Sequence, residues 1–286
     1  METGPQLQRG VDVSELPWQR LARASGIVDR VLLRYQELVE GGSLKFVIEV
    51  LDDHLSAEIR LHLSEADVLN DLSFQLSEAV HHIRAAMDSM AWELSHVGGA
   101  PRTPWKVFYP TAVTEQEWES AKTRLDGTDD VLLDRLRAHQ PFTRAGSEFG
   151  WPTAVVAFVS NADKHRGLLT LGSGVKSIAA AAGGSQGHDD AIGVDVAYDV
   201  LTTFPLEDGA YVGRLDWVHQ HLTEIITSTV EIEIHFGMRV SPPRHPEYSV
   251  SIEELQMAIS YLGNEFDYLL TGTWPEGARP VAPPRR

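Results

Sequence analysis

The sequence predicts an α+β fold, and three observations carry that expectation. Helical and strand periods occur in separate blocks rather than in strict alternation, which disfavours a parallel α/β sheet. One stretch, from Ser64 to Gly98, keeps a single apolar stripe throughout, as the long amphipathic helix of a helical core would. After Gly167 the period changes to the alternation of strands, giving a C-terminal antiparallel β-layer beside an N-terminal β-hairpin. At 286 residues, with 43% hydrophobic and 23% charged side chains, the chain is long and apolar enough to bury a sizeable core.

The elements follow in order. Residues 16–39 place Leu21, Ile27, Val31, Leu32 and Leu38 at helical intervals and end at "EGG", so a first helix is expected there. Phe46, Ile48 and Val50 alternate, "DDH" turns the chain, and Ile59, Leu61 and Leu63 alternate again, which reads as a hairpin. In the long helix, Leu69, Leu72, Leu76, Val80, Ile83, Met87, Met90 and Leu94 share one side; Ser64 with Asp67 has capping-box spacing, and Gly98 is a stop. Two shorter helices are expected near 114–125 and 129–139. Pro152 then opens a helix through "PTAVVAFVSNADKHRG". "LLTLGSGVKSIAAAA" and "AIGVDVAYDVLTTF" read as strands and "LEDG" as a turn. Residues 214–236 fit a helix through Leu215, Val218, Leu222 and Ile226, although "VEIEIHF" is rich in strand formers. A last helix runs from Ser251, with Glu254 at capping-box spacing, to about Leu270.

The expected organisation is an arm over 1–15 and a single α+β domain over 16–238, with its helical core at about 64–166 and its β-rich part at about 167–213. A helical extension over 239–270 and a Pro-rich tail over 271–286 complete it.

Charge and composition exclude several function classes. Lys and Arg number 24 against 41 Asp and Glu, a net charge of −17, so the overall field repels polyanions and nucleic acid is disfavoured as a partner. The absence of cysteine removes disulfides, thiolate metal sites and cysteine nucleophiles. With no apolar leader and no long uninterrupted apolar run, the expected location is the cytoplasm, without a membrane. No cofactor motif is present: "LGSGVKS" lacks P-loop spacing, and no serine sits in a nucleophile elbow. Glu78 and His81 have the ExxH spacing of di-iron bundles, but no second copy exists, so no metal is expected.

Two clusters carry the candidate site. On the long helix, His81, Arg84 and Asp88 fall on consecutive turns of one face, beside Trp92, Phe74 and Ser77, whereas His82 is expected toward solvent. An arginine there can orient a carboxylate, and an aspartate can fix an imidazole tautomer. A solvated or salt-bridged face is the plainer alternative. The second cluster is "SNADKHR", where Asn161 and His165 share a face and Asp163 points toward the Val156 side. The preceding Val155–Val159 run is apolar in every direction, as in a buried helix. Lys164, His165 and Arg166 also suit a helix C-terminus, where cations meet the exposed carbonyls before Gly167.

The pair "HHIRAAMDSMAWEL" and "FVSNADKHRGLL" resembles a group of uncharacterised bacterial proteins with a helix reading His-Asn-Leu-Arg-Ser-Ala-Leu-Asp and, about 80 residues later, Asn-x-Asp-Lys-His-Arg. His81, Arg84, Asp88, Asn161, Asp163, Lys164, His165 and Arg166 match that pattern, with His82 in place of its Asn. More remotely, "SNADKH" resembles the HEPN motif of Arg, a polar residue, three residues and His. That resemblance implies metal-independent RNA cleavage with His165 as acid/base, Asn161 beside it and, because Ser160 stands at the motif arginine, Arg84 or Arg166 as the phosphate-holding cation. The leading expectation is a non-catalytic binding or assembly protein with a buried His/Arg/Asp/Asn cluster, a small ligand or protein as partner and a possible homo-oligomer. His81, Asp88, Asp163, Arg166 and Trp92 would bind. The HEPN-like enzyme, with His165, Asn161 and Arg84 as catalytic residues, is the alternative.

Overall fold

The computed structural model describes residues 13–53, 56–143, 152–166, 169–175, 207–216, 236–241 and 249–276; for residues 66, 162, 164–166, 173–175, 215, 216 and 236–239 it describes the backbone alone. Its helices are α1 (Leu16–Glu40), α2 (Ala66–Ser95), α3 (Glu115–Lys122), α4 (Asp130–Ala138), α5 (Pro152–Arg166) and α6 (Ile252–Thr271). The strands are β1 (Leu44–Val50), β2 (Ser56–Leu63), β3 (Thr170–Val175), β4 (Tyr211–Asp216), β5 (Phe236–Ser241) and β6 (Val250–Ser251). They form two three-stranded antiparallel sheets, ordered β1-β2-β4 and β3-β5-β6, so the class is α+β.

The chain divides into two compact units, Met1–Asp29 with Gln75–Gly167 and Glu253–Arg286, and Arg30–Phe74 with Leu168–Ile252; α1 and α2 supply residues to both. The first unit is helical. Its interior is filled from α1 (Ala24, Ile27), α2 (Leu76, Val80, Ile83, Met87, Met90), α4 (Leu132, Leu136), α5 (Val156, Val159) and α6 (Leu255, Leu262, Phe266), all fully buried. The whole stripe anticipated on α2 is buried, because a 3.6-residue period keeps those side chains on one side for the length of the helix. Thr114 caps α3 by accepting from the Glu117 N–H, and Asp129 caps α4 by accepting from the Val131 N–H. Trp18 meets Phe266 edge-on at 6.0 Å between ring centroids. At the far end of α6, Arg135 donates to the Leu269 and Leu270 carbonyls, and Trp274 stacks on Tyr268 at 5.1 Å. Those carbonyls are left without helical partners at a C-terminus, so a guanidinium is a suitable cap.

The second unit holds both sheets. Phe46 lies opposite Leu61 and Ile48 opposite Ile59 in the β1–β2 hairpin, and β4 pairs with β2 through a bulge between Ile59 and Arg60. The anticipated turn is present over Glu207–Gly209: Gly209, at φ 78, donates its N–H to the Leu61 carbonyl, the Leu61 N–H donates to the Ala210 carbonyl, and the Asp208 carboxylate accepts from the Leu63 N–H at 2.8 Å. That bond, helped by His62, holds the Asp208 carboxyl below its ordinary range. Val31, Leu38, Leu44, Ile59, Leu61 and Leu72 form the interior.

Two expectations are corrected, and others fall outside the described residues. Residues 214–216, taken as the start of a helix, are the end of β4, because pairing with Ser56–Glu58 overrides the local helical spacing. Residues 217–235 of that expected helix, and the expected strand over 191–204, lie outside the described residues. Ser64 does not open α2: the helix begins at Ala66, and the Ser64 N–H and hydroxyl both turn to the Ser43 carbonyl.

Candidate polar site on helix α2

The site is built on the part of α2 that belongs to the helical unit. Ser77 and His81, one turn apart, flank the carboxylate of Asp163 from α5: the Ser77 hydroxyl donates to Oδ1 at 2.8 Å, and His81 Nε2 lies 2.9 Å from Oδ2. Only 6% of the Asp163 side chain is exposed, whereas His81 is 45% exposed. A carboxylate accepts only, so Nε2 carries the proton and Nδ1 is left as the acceptor of the neutral ring. Two charge-assisted bonds to a nearly buried carboxylate offset its loss of hydration.

One turn further on, Arg84 and Asp88 form a second arrangement. Arg84 is bidentate to Asp88, at 2.9 Å and 3.3 Å, and only 13% of its side chain is exposed. The same guanidinium donates to the Tyr109 carbonyl at 3.1 Å, and Asp88 accepts from the Tyr109 N–H at 3.0 Å. Tyr109 lies on the coil segment that leads to α3, where its backbone needs partners that no helix or strand supplies; the i,i+4 pair on α2 provides both. The Tyr109 hydroxyl makes a short bond to the buried Glu265 of α6. Burial first, and Glu265 second, push the Tyr109 phenol well above its usual range.

The placement of the anticipated residues is therefore uneven. His81, Arg84, Asp88 and Asp163 are brought into the α2 network, and the two helices do meet. The residue that makes the junction from α5 is Asp163, which was expected to point away, while Asn161 is exposed. His165 and Arg166 lie outside the residues whose side chains are described. Trp92 is exposed and packs on the His96 ring at 4.4 Å, apart from the carboxylates. His82, expected toward solvent, is the less exposed of the pair at 32%, with Nε2 3.6 Å from Glu78. Glu78 also takes Arg23 at 3.4 Å, so the ExxH carboxylate turns to its own helix and to α1, away from any shared site with His81. Within α5, Val156 and Val159 are buried but Val155 and Phe158 are only half-buried, so the apolar run is less than completely enclosed.

Residues missed in the sequence are Tyr109 and Glu265. Their one signal was chemical: a glutamate standing in the apolar pattern of α6 between Leu262, Phe266 and Leu269. Ser160, at the position of the HEPN arginine, is fully buried. No protein-family model, curated protein or solved structure matches this chain.

Proposed function

We propose that the chain is a non-catalytic binding or assembly protein, in which the α2 network is a structural scaffold that presents one oriented imidazole. The observation that carries this reading is where the polar groups are spent. Arg84, Asp88, Ser77 and Asp163 bond to the fold itself, and His81, held by Asp163, is the most exposed of the ionisable members at 45%, against 36% for Asp88, whose carboxylate is already taken by Arg84 and the Tyr109 N–H. Catalysis needs groups aimed at a reacting atom, whereas a network aimed at its own backbone specifies structure. The partner in this reading is a small ligand or a protein surface, or a second copy of the chain, in a cytoplasmic setting. Kinship with the bacterial group that carries the two motifs belongs to the same proposal.

The HEPN-like alternative keeps His165 as acid/base with Asn161 and Arg84 beside it; what favours a catalytic reading is a different imidazole, His81, which the Asp163 carboxylate backs in a recurrent acid/base arrangement. Against it, an arginine at position 160 would have to ionise in a fully buried place, and the Arg84 guanidinium is already shared between Asp88 and the Tyr109 carbonyl.

Urea unfolding tests the structural role of the network, and an RNA assay separates the two readings. Arg84→Ala should cost about 2–3 kcal/mol, since it strips a charge partner and leaves the Asp88 and Tyr109 acceptors behind. Glu78→Ala, which removes only exposed pairs, should stay within about 0.5 kcal/mol. The same proteins incubated with labelled RNA should leave it intact; cleavage by the wild type that disappears in His165→Ala would overturn the binding reading in favour of the enzyme.

A further inference from the structure

We infer a second site, remote from the α2 network in its chemistry, at the turn that carries Trp105: a surface for a short single-stranded nucleic acid. Between Glu93 and Glu115 the chain has no carboxylate side chain, although it holds 41 Asp and Glu in all. Inside that window lie Arg102 and Lys106, and between them Trp105, which is 80% exposed, more than any other large apolar side chain among the described residues.

The backbone that carries the indole is fixed. Pro104 begins a 3-10 turn in which Lys106 N–H bonds to the Thr103 carbonyl at 2.9 Å and Val107 N–H to the Pro104 carbonyl at 3.1 Å. Downstream, Phe108 lies under the Arg124 guanidinium at 4.5 Å, and the Tyr109 backbone is held by Arg84 and Asp88. Phe108 is three residues from Trp105, within about 10 Å by chain length. The Arg102 side chain is 92% exposed, and among the described residues it pairs with Asp126, at 3.7 Å from Nε and 3.1 Å from the backbone nitrogen.

A solvent-facing indole on a fixed turn, flanked by cations, matches a ligand that alternates flat rings with negative charges. A base stacks on the ring while its phosphates meet the cations, and no hydrogen-bond pattern of a particular base is required. The overall charge of −17 weakens long polyanions, but at 0.15 M salt fields decay over about 8 Å, so a strand of a few nucleotides responds to the local cations. Membrane insertion is the weaker fit, because a single indole surrounded by Arg102, Lys106 and Thr103 offers little apolar area.

Fluorescence anisotropy of a labelled twelve-nucleotide oligo(U) with the full chain tests this, alongside co-sedimentation with phosphatidylcholine–phosphatidylserine vesicles. Binding should weaken about 5- to 100-fold in Trp105→Ala, the loss of one base stack. The salt slope, with about 0.7 per neutralised phosphate, should fall by about that amount in Lys106→Glu and again in Arg102→Glu. Circular dichroism should be unchanged in all three, since these side chains lie on the surface. Absence of oligonucleotide binding by the wild type, equal binding by Trp105→Ala, or Trp105-dependent capture of vesicles without the oligonucleotide would each overturn the proposal.

Discussion

Burial sets the terms for the polar residues of this protein. Asp163 is tolerated in the interior because each of its oxygens has a donor, and Tyr109 is tolerated because its hydroxyl ends on Glu265. A position on a helical wheel placed His81, Arg84 and Asp88 correctly on one side of α2, but it misjudged Asp163. The reason is physical: α5 is apolar over much of its surface, so its own pattern does not say which side faces a neighbour, and the choice is made by Ser77 and His81 on another helix. Tyr35 and Tyr109 give the pH dependence. Burial raises both phenols above the ordinary 10.0 in the folded chain. Below that pH both states keep the protons and nothing is lost; above it the unfolded chain releases protons that the folded chain retains, so stability falls as pH rises. Urea unfolding from pH 9 to 11.5 should show this decline, steeper by up to about 1.4 kcal/mol per pH unit for each such tyrosine, and Tyr109→Phe should flatten it.

At the scale of elements, the helices were legible and the second sheet edge was not. The described helices carry their own evidence in period and punctuation: Thr114 and Asp129 before α3 and α4, Pro152 at the first position of α5, and a continuous stripe in α2. Strand β4 carries no such evidence, because "YVGRLD" acquires its state from pairing with β2, far away in sequence. Glycine is needed at position 127. The Gly98 N–H bonds to the Gly127 carbonyl, and a Cβ on Gly127 would press into the carbonyl oxygens of Ser95 and Gly99 and approach Pro101 N at 3.0 Å. Gly127→Ala should therefore destabilise by about 3 kcal/mol in thermal unfolding, since backbone atoms on three sides must move. Asp129→Ala, which only uncaps α4, should cost about 1 kcal/mol; a smaller effect at Gly127 than at Asp129 would show that the 95–101 segment yields easily.

For the whole molecule, charge is the dominant property. With 41 acidic against 24 basic side chains, the folded chain works against its own repulsion, and the ion pairs that relieve it, such as Arg137–Glu115 and Arg34–Glu37, lie largely in solvent, where each is worth little. Raising NaCl from 0.01 M to 0.5 M should consequently raise the melting temperature by a few degrees; a fall would mean that local pairs outweigh the long-range repulsion. Among the described residues no helix is long and apolar enough to cross a membrane. The acidic balance, readable from composition, predicts the sign of the salt effect but conceals the carboxylate-free window around Trp105, since a sum over the chain averages out local contrast.

Tyr109 is gripped by its amide, its carbonyl and its hydroxyl, the first two by α2 and the third by α6. Three attachments on one coil residue turn a connecting segment into a keystone: α2 and α6 are tied through it, and parting them requires breaking its bonds to one helix or the other. The segment between α2 and α3 thus acts as a strut, carrying load between two helices that the chain itself separates by more than a hundred residues.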